Sequence, residues 1–147
     1  MTTDLQATQN GITTMKQQLA HIALVVADYD EAIKFYTEKL NFTLVEDTAL
    51  SETKRWVLIA PKGSTECCLL LAKAVNEEQT SRIGNQTGGR VFLFLYTNNF
   101  ERDYNEMQSK GILFVREPTI ETWGTVAVFS DLYGNLWDLI QPIPKQS

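Results

Sequence analysis

His21-Ile-Ala-Leu-Val-Val26 and Val91-Phe-Leu-Phe-Leu-Tyr96 are two unbroken apolar runs that begin 70 residues apart in a chain of 147. The same offset, with no gap, lays Asp28 and Glu31 on Asn98 and Glu101, and Asn41-Phe42 on Gly111-Ile112. It also lays Cys68-Leu-Leu-Leu71 on Asp138-Leu-Ile-Gln141. A period of this kind predicts two copies of one supersecondary unit, each burying a face that neither could bury alone. It also predicts a cavity where equivalent strands of the two copies meet.

Each copy reads the same way. In the first, residues 18–27 read as a buried strand, and Asp28 with Glu31 forms a capping box at a helix start. Ala32, Phe35, Tyr36 and Leu40 follow at helical spacing, and Asn41 suits a left-handed stop. Strands are predicted at 42–47, 55–60 and 66–72, with a turn at Pro61-Lys-Gly-Ser64. In the second, the strand 90–96 precedes a helix capped by Asn98 with Glu101 and stopped by Gly111. Strands at 112–117, 122–130 and 136–141 complete it, with Asp131-Leu-Tyr-Gly-Asn135 as the last turn. The reading is one domain over 18–145, with unit one at 18–72 and unit two at 89–142. Residues 73–88 form a crossover, partly helical at 76–83 and long enough to act as a lid. Residues 1–17 are polar and aperiodic and read as a tail.

Composition bounds the function. Thirteen basic residues against 18 acidic ones give a net charge of −5, with no basic stripe, so nucleic acid and anionic membranes are poor partners. No apolar run reaches membrane-spanning length and the start carries no signal-peptide pattern, so the expected compartment is the cytoplasm. The two cysteines, Cys67 and Cys68, are adjacent, and neighbours on a strand point to opposite faces. No ordinary disulfide joins them, which suits a reducing compartment.

The strand His21–Val26 followed by Asp28-Tyr-Asp-Glu-Ala-Ile-Lys-Phe-Tyr-Thr-Glu-Lys-Leu-Asn-Phe42 resembles the opening of the vicinal oxygen chelate superfamily, which includes glyoxalases, bleomycin-resistance proteins and extradiol dioxygenases. Asp131, Gly134, Asn135 and Asp138 are similar to the same family's closing motif. The resemblance implies an α+β fold in which two tandem βαβββ units form a half-open eight-stranded cup with helices outside. It also implies metal ligands on the first and last strands of each unit, at positions 21, 68, 91 and 138. These hold His21, Cys68, Val91 and Asp138. Valine ligates nothing, so the usual four-ligand cage is absent.

His21 is the only histidine, and the expected metal set is His21, Cys68 and Asp138. A nitrogen–sulfur–oxygen site of that kind would suit zinc, and nickel, manganese or iron are the other candidates. Asp138 lies between Trp137 and Leu139 and needs a compensating partner: a metal, Arg55 or Arg90, or a substrate amine. Glu66 is the candidate catalytic base, on the strand that carries Cys68. Trp56, Arg90 and Trp123 are candidate substrate contacts, with Tyr29 and Tyr133 as further aromatic wall.

Two functions follow. In one, a divalent ion in the cup chelates two neighbouring oxygens of a small substrate for a lyase or oxygenase reaction. In the other, the cup holds no metal and sequesters a small molecule, as bleomycin-resistance members of the family do. A homodimer is expected under either, because a half-cup leaves apolar sheet surface to cover.

Overall fold

The computed structural model describes residues 16–64 and 66–144, so the expected tail lies almost wholly outside the described residues. Asp28 accepts the N–H of Glu31 at 2.8 Å and starts α1 (Tyr29–Lys34), but the expected box is only half made: the Glu31 carboxylate accepts the Tyr133 hydroxyl at 2.8 Å, and the Asp28 N–H points to that hydroxyl at 3.4 Å. The helix then widens into a π turn over Phe35–Lys39, closed by the Phe42 N–H on the Tyr36 carbonyl at 2.9 Å. That turn brings the Tyr36 side chain to 0 % exposure, against the second unit.

The first unit continues with β2 (Thr43–Ala49), β3 (Arg55–Ala60) and β4 (Cys68–Lys73), in sheet order β1-β4-β3-β2 with β1 at His21–Val26. The second has β5 (Val91–Tyr96), α3 (Phe100–Ser109), β6 (Leu113–Glu121), β7 (Gly124–Ser130) and β8 (Leu136–Pro142), in order β5-β8-β7-β6. The fold is α+β, with two four-stranded mixed sheets and the strand order of one repeated in the other. Helices cover one face of each sheet. Leu24, Val57 and Leu71 of the first sheet join Phe129, Trp137 and Leu139 of the second in a single core with α1 and α3. The opposite face of each sheet is open. Leu58 and Val128 are buried there outside the shared core, while Phe94 and Tyr96 are exposed.

Several boundaries differ from the sequence reading, each for a physical reason. The cap of α3 is Asn99, not Asn98: Asn99 accepts the Arg102 N–H at 3.0 Å, and the Gln141 side chain takes the Phe100 N–H at 2.6 Å. β6 runs past Pro118 to Glu121 because it is an edge strand with register shifts at 114/116 and 116/119, where a proline's missing donor costs no ladder bond. β4 begins at Cys68, which leaves Glu66 in the bend before it.

The crossover braces the units together. It carries α2 (Glu77–Arg82) against β1, and the Gln86 amide reaches both the N–H and the C=O of Val25 at 3.4 Å. Gly84, at φ +74°, rests on the Tyr133 backbone so closely that a Cβ would lie 1.9 Å from its carbonyl oxygen.

The ungapped repeat does not survive into the last strand. His21 pairs with Cys68, but Val91 pairs with Leu136, and Asp138 pairs with Phe94. The turn before β4 spans seven residues (61–67) and the turn before β8 spans five (131–135). β8 is therefore displaced by two residues relative to β4. In register, the counterpart of Asp138 is Leu70, since Leu58 pairs with Leu70 and Val128 pairs with Asp138.

Between the units, the Tyr36 hydroxyl donates to Asp131 Oδ2 at 2.6 Å and accepts the Trp137 indole N–H at 3.3 Å. Burial, with the Asp131 charge beside it, holds the Tyr36 hydroxyl well above its ordinary pKa, so it remains a donor throughout the working pH range. Tyr36→Phe leaves a buried carboxylate short of one donor, and we expect a loss of about 1–3 kcal/mol in urea denaturation with the fold retained. Gly84→Ala should destabilise the chain as well, since its new methyl group meets backbone and the left-handed φ disfavours a side chain.

Candidate functional site

The open faces are set by alternation along each strand. On the first sheet, His21 and Cys68 are neighbours across the β1–β4 pair and face the same side as Trp56 and Leu58. His21 is exposed, and its ring meets the Trp56 ring edge-on at 5.8 Å. Glu46 and Thr48 lie opposite Leu58 and Trp56 on the edge strand, with the threonine hydroxyl donating to the carboxylate at 2.9 Å.

On the second sheet, Asp138 sits mid-strand between Phe94 and Val128. It is half-buried and has no hydrogen bond or ion pair among the described residues. Burial raises its carboxyl above the usual range, and the nearby positive charge of Arg116 pulls partly the other way. Arg116 occupies the position of Glu46 under both the offset of 70 and the strand register, so the two sheets carry opposite charges at equivalent places.

Neither arginine expected beside Asp138 is there. Arg55 is held on the first sheet by Asp47 at 2.7 Å and Asp30 at 3.0 Å, with its guanidinium 5.1 Å from the Tyr29 ring centre. Arg90 is exposed ahead of β5, where its carbonyl accepts the Thr87 hydroxyl. Glu66 is exposed in its bend, with its backbone carbonyl taking the Gln18 amide at 3.2 Å. Trp123 is half exposed at the β6–β7 turn. Tyr29 and Tyr133 belong to the covered side: Tyr29 is buried, and Tyr133 donates to Glu31 at 2.8 Å.

The set His21, Cys68 and Asp138 does not converge within one chain. Among the described residues no three His, Cys, Asp or Glu side chains gather in a way that could hold a metal ion. His21 and Cys68 lie on one sheet, Asp138 lies on the other, and Val91 supplies no donor. These residues do not fit a divalent ion.

Sequence reasoning missed Phe94, Tyr96 and Arg116. Both apolar runs read as buried strands, yet Phe94 is 62 % and Tyr96 69 % exposed on the open side. Periodicity cannot separate a strand covered on both faces from one whose second face is apolar and open. Arg116 was findable, because the repeat places it opposite Glu46.

A groove of about 970 Å³ also runs between the units, past Lys39, Lys62, Arg102 and Glu106. Some of its polar groups already serve one another. Glu106 accepts Asn41 at 2.9 Å and Lys110 at 3.0 Å, which together hold its carboxyl below the ordinary range. Arg102 is paired with Asp103.

With two repeated units and an open face on each sheet, the chain belongs to the glyoxalase/bleomycin resistance protein/dioxygenase superfamily, whose model matches residues 18–139. It is 62 % identical over 133 residues to an uncharacterized protein of Shewanella frigidimarina, covering 90 % of this chain and 98 % of that one. Among solved structures it is similar to UcmS2, at 33 % identity and a TM-score of 0.75, covering 86 % of this chain and 98 % of that one. It is also similar to TnmS3, an antibiotic binding protein from Streptomyces sp. CB03234, at 27 % identity and a TM-score of 0.69, covering 90 % and 100 %.

The state of Asp138 has a measurable consequence. A carboxyl raised in the folded chain binds its proton more tightly there than in the unfolded chain, so its ionisation at neutral pH opposes folding. Asp138→Asn should therefore raise the melting temperature at pH 7. The gain should shrink as the pH falls toward ~4 and disappear below it, where Asp138 is protonated in both states.

Proposed function

We propose that the chain is a small-molecule-binding protein that works without a metal, in a cup completed by a second copy of itself. The observation that carries this is the open face of each sheet: apolar and aromatic, with a carboxylate on the second that has no partner among the described residues, and uncovered by the described helices. Exposed apolar surface of this kind marks an interaction site. The similarity to TnmS3, an antibiotic binding protein, supports a binding rather than a catalytic role.

The two faces are complementary. Ala23 and Val25 on β1 stand where β5 has Phe94 and Tyr96, and Glu46 stands where β6 has Arg116. Small residues against large ones, and an anion against a cation, favour the first sheet of one copy facing the second sheet of its partner. A two-fold axis then makes two identical cups.

Such a cup lacks the family's full ligand set, because Val91 supplies no donor and the in-register counterpart of Asp138 is Leu70, which cannot ligate an ion. The reading places the protein in the cytoplasm, where the two free cysteines remain reduced. No described helix is long and apolar enough to cross a membrane.

Light scattering coupled to size exclusion should give the mass of a dimer, and a monomer would remove the completed cup. Elemental mass spectrometry should find well below one divalent ion per chain, and zinc, nickel, manganese or iron should not shift the melting temperature. About one ion per chain, lost in His21→Ala, would overturn the metal-free reading in favour of a lyase or oxygenase.

A further inference from the structure

We propose that the groove between α3 and the turn after β3 is a second ligand site, which takes a small aromatic carboxylate and holds its charge between Lys39 and Lys62. This site lies apart from the cup, and neither reading depends on the other.

The duplication makes the two units meet twice. At one meeting Tyr36 reaches the turn after β7, where its hydroxyl donates to Asp131. An aromatic ring and a carboxylate close that side, and both are buried. At the other meeting the offset of 70 puts Glu106 in the place of Tyr36, and Pro61 and Lys62 in the places of Asp131 and Leu132. Glu106 turns to Asn41 and Lys110 instead, at 2.9 and 3.0 Å. With no ring at position 106, a groove of about 970 Å³ stands open, and Pro61, Lys62 and Glu106 are among its walls. A space of that size holds a small organic ligand.

The floor of the groove is apolar. Phe42, Met107 and Leu139 belong to the shared core, and Leu40 and Leu95 pack against it. The floor therefore lies on the covered side of the sheets, away from the faces assigned to the cup. An aromatic body laid on it would do there what the Tyr36 ring does at the equivalent place.

Charge sets the sign of the ligand. Both carboxylates in the groove are matched already: Asp103 accepts the Thr97 hydroxyl and pairs with Arg102, and Glu106 is held by Asn41 and Lys110. Lys39 and Lys62 are exposed and take part in no ion pair among the described residues. Lys39 Nζ lies 4.0 Å from the place a Cβ on Gly111 would occupy, so this lysine of the first unit already reaches the second. Where the closed meeting has the Asp131 carboxylate, the open one has an ammonium. The carboxylate that completes it has to come with the ligand, as a charge-assisted acceptor for the two lysines.

The test is an NMR titration of the full, 15N-labelled chain at neutral pH with three probes: 2-naphthoate, 2-naphthylmethylamine as a cation of the same shape, and acetate as an anion without a ring. 2-Naphthoate should bind saturably, with amide shifts gathered at Lys62, Leu95 and Met107, and the other two should not saturate. The double variant Lys39→Ala/Lys62→Ala should bind it about tenfold more weakly. Lys34→Ala, which removes a lysine outside the groove, should leave binding unchanged, and the amide spectrum reports that each variant is folded. Binding should also weaken as salt is raised. Shifts gathered at Ala23, Phe94 and Asp138 instead would overturn the groove site and favour the cup. Equal binding of the amine, an unchanged affinity in the double variant, or no saturable binding of 2-naphthoate would overturn the groove site and leave the cup untouched.

Discussion

One hydrogen bond, from the Tyr36 hydroxyl to the buried Asp131 carboxylate, joins the helix of the first unit to the last turn of the second. Asp131 is 5 % exposed, and a carboxylate in that position is tolerable only when donors surround it. It has four: Tyr36, the N–H groups of Tyr133 and Asn135, and the Asn135 side-chain amide. The two backbone donors shape the turn that leads into β8. The tyrosine stands in the π turn that follows α1, buried in the core shared by both sheets. Trp137 then closes the arrangement by donating to the same hydroxyl and stacking on Phe129 at 5.8 Å.

The turn around Asp131 has a second effect. It is two residues shorter than its counterpart before β4, and this displaces β8 against the repeat. Asp138 is thereby carried away from the level of Cys68 and set beside Phe94. A duplicated scaffold has thus become two unlike faces. One carries Ala23 and Val25, with His21 and Cys68 at one end; the other carries Phe94 and Tyr96, with a carboxylate at its centre that has no partner among the described residues. The two differ through one turn length, one bulge in β5 and a handful of side chains, not through the fold.

Much of the candidate site was legible, but not its arrangement. His21, Cys68 and Trp56 stand on the open face of the first sheet and Asp138 on that of the second. The register that separates them was not legible, because an ungapped offset carries no information about a shortened turn. The closing motif residues Asp131 and Asn135 were visible as a pattern, yet their work is internal: they form the hydrogen-bonded hub between the units and do not line the open face. Arg90 was drawn toward Asp138 by its position in the chain, whereas the nearby cation is Arg116 on β6, separated from β8 by β7 in the same sheet.

The sequence by itself determined the unit and its repetition, because strand alternation, the Asp28 capping box and the apolar runs are local patterns that do not depend on what surrounds them. Only the tertiary structure decided which apolar residues are buried and which are offered to a ligand. That choice depends on where the helices lie, and both α1 and α3 occupy the core between the sheets. It decided also that His21 and Cys68 stand on one sheet and Asp138 on the other, with Asp138 set two residues, about 7 Å along the strand, from the level that the ungapped repeat gives it.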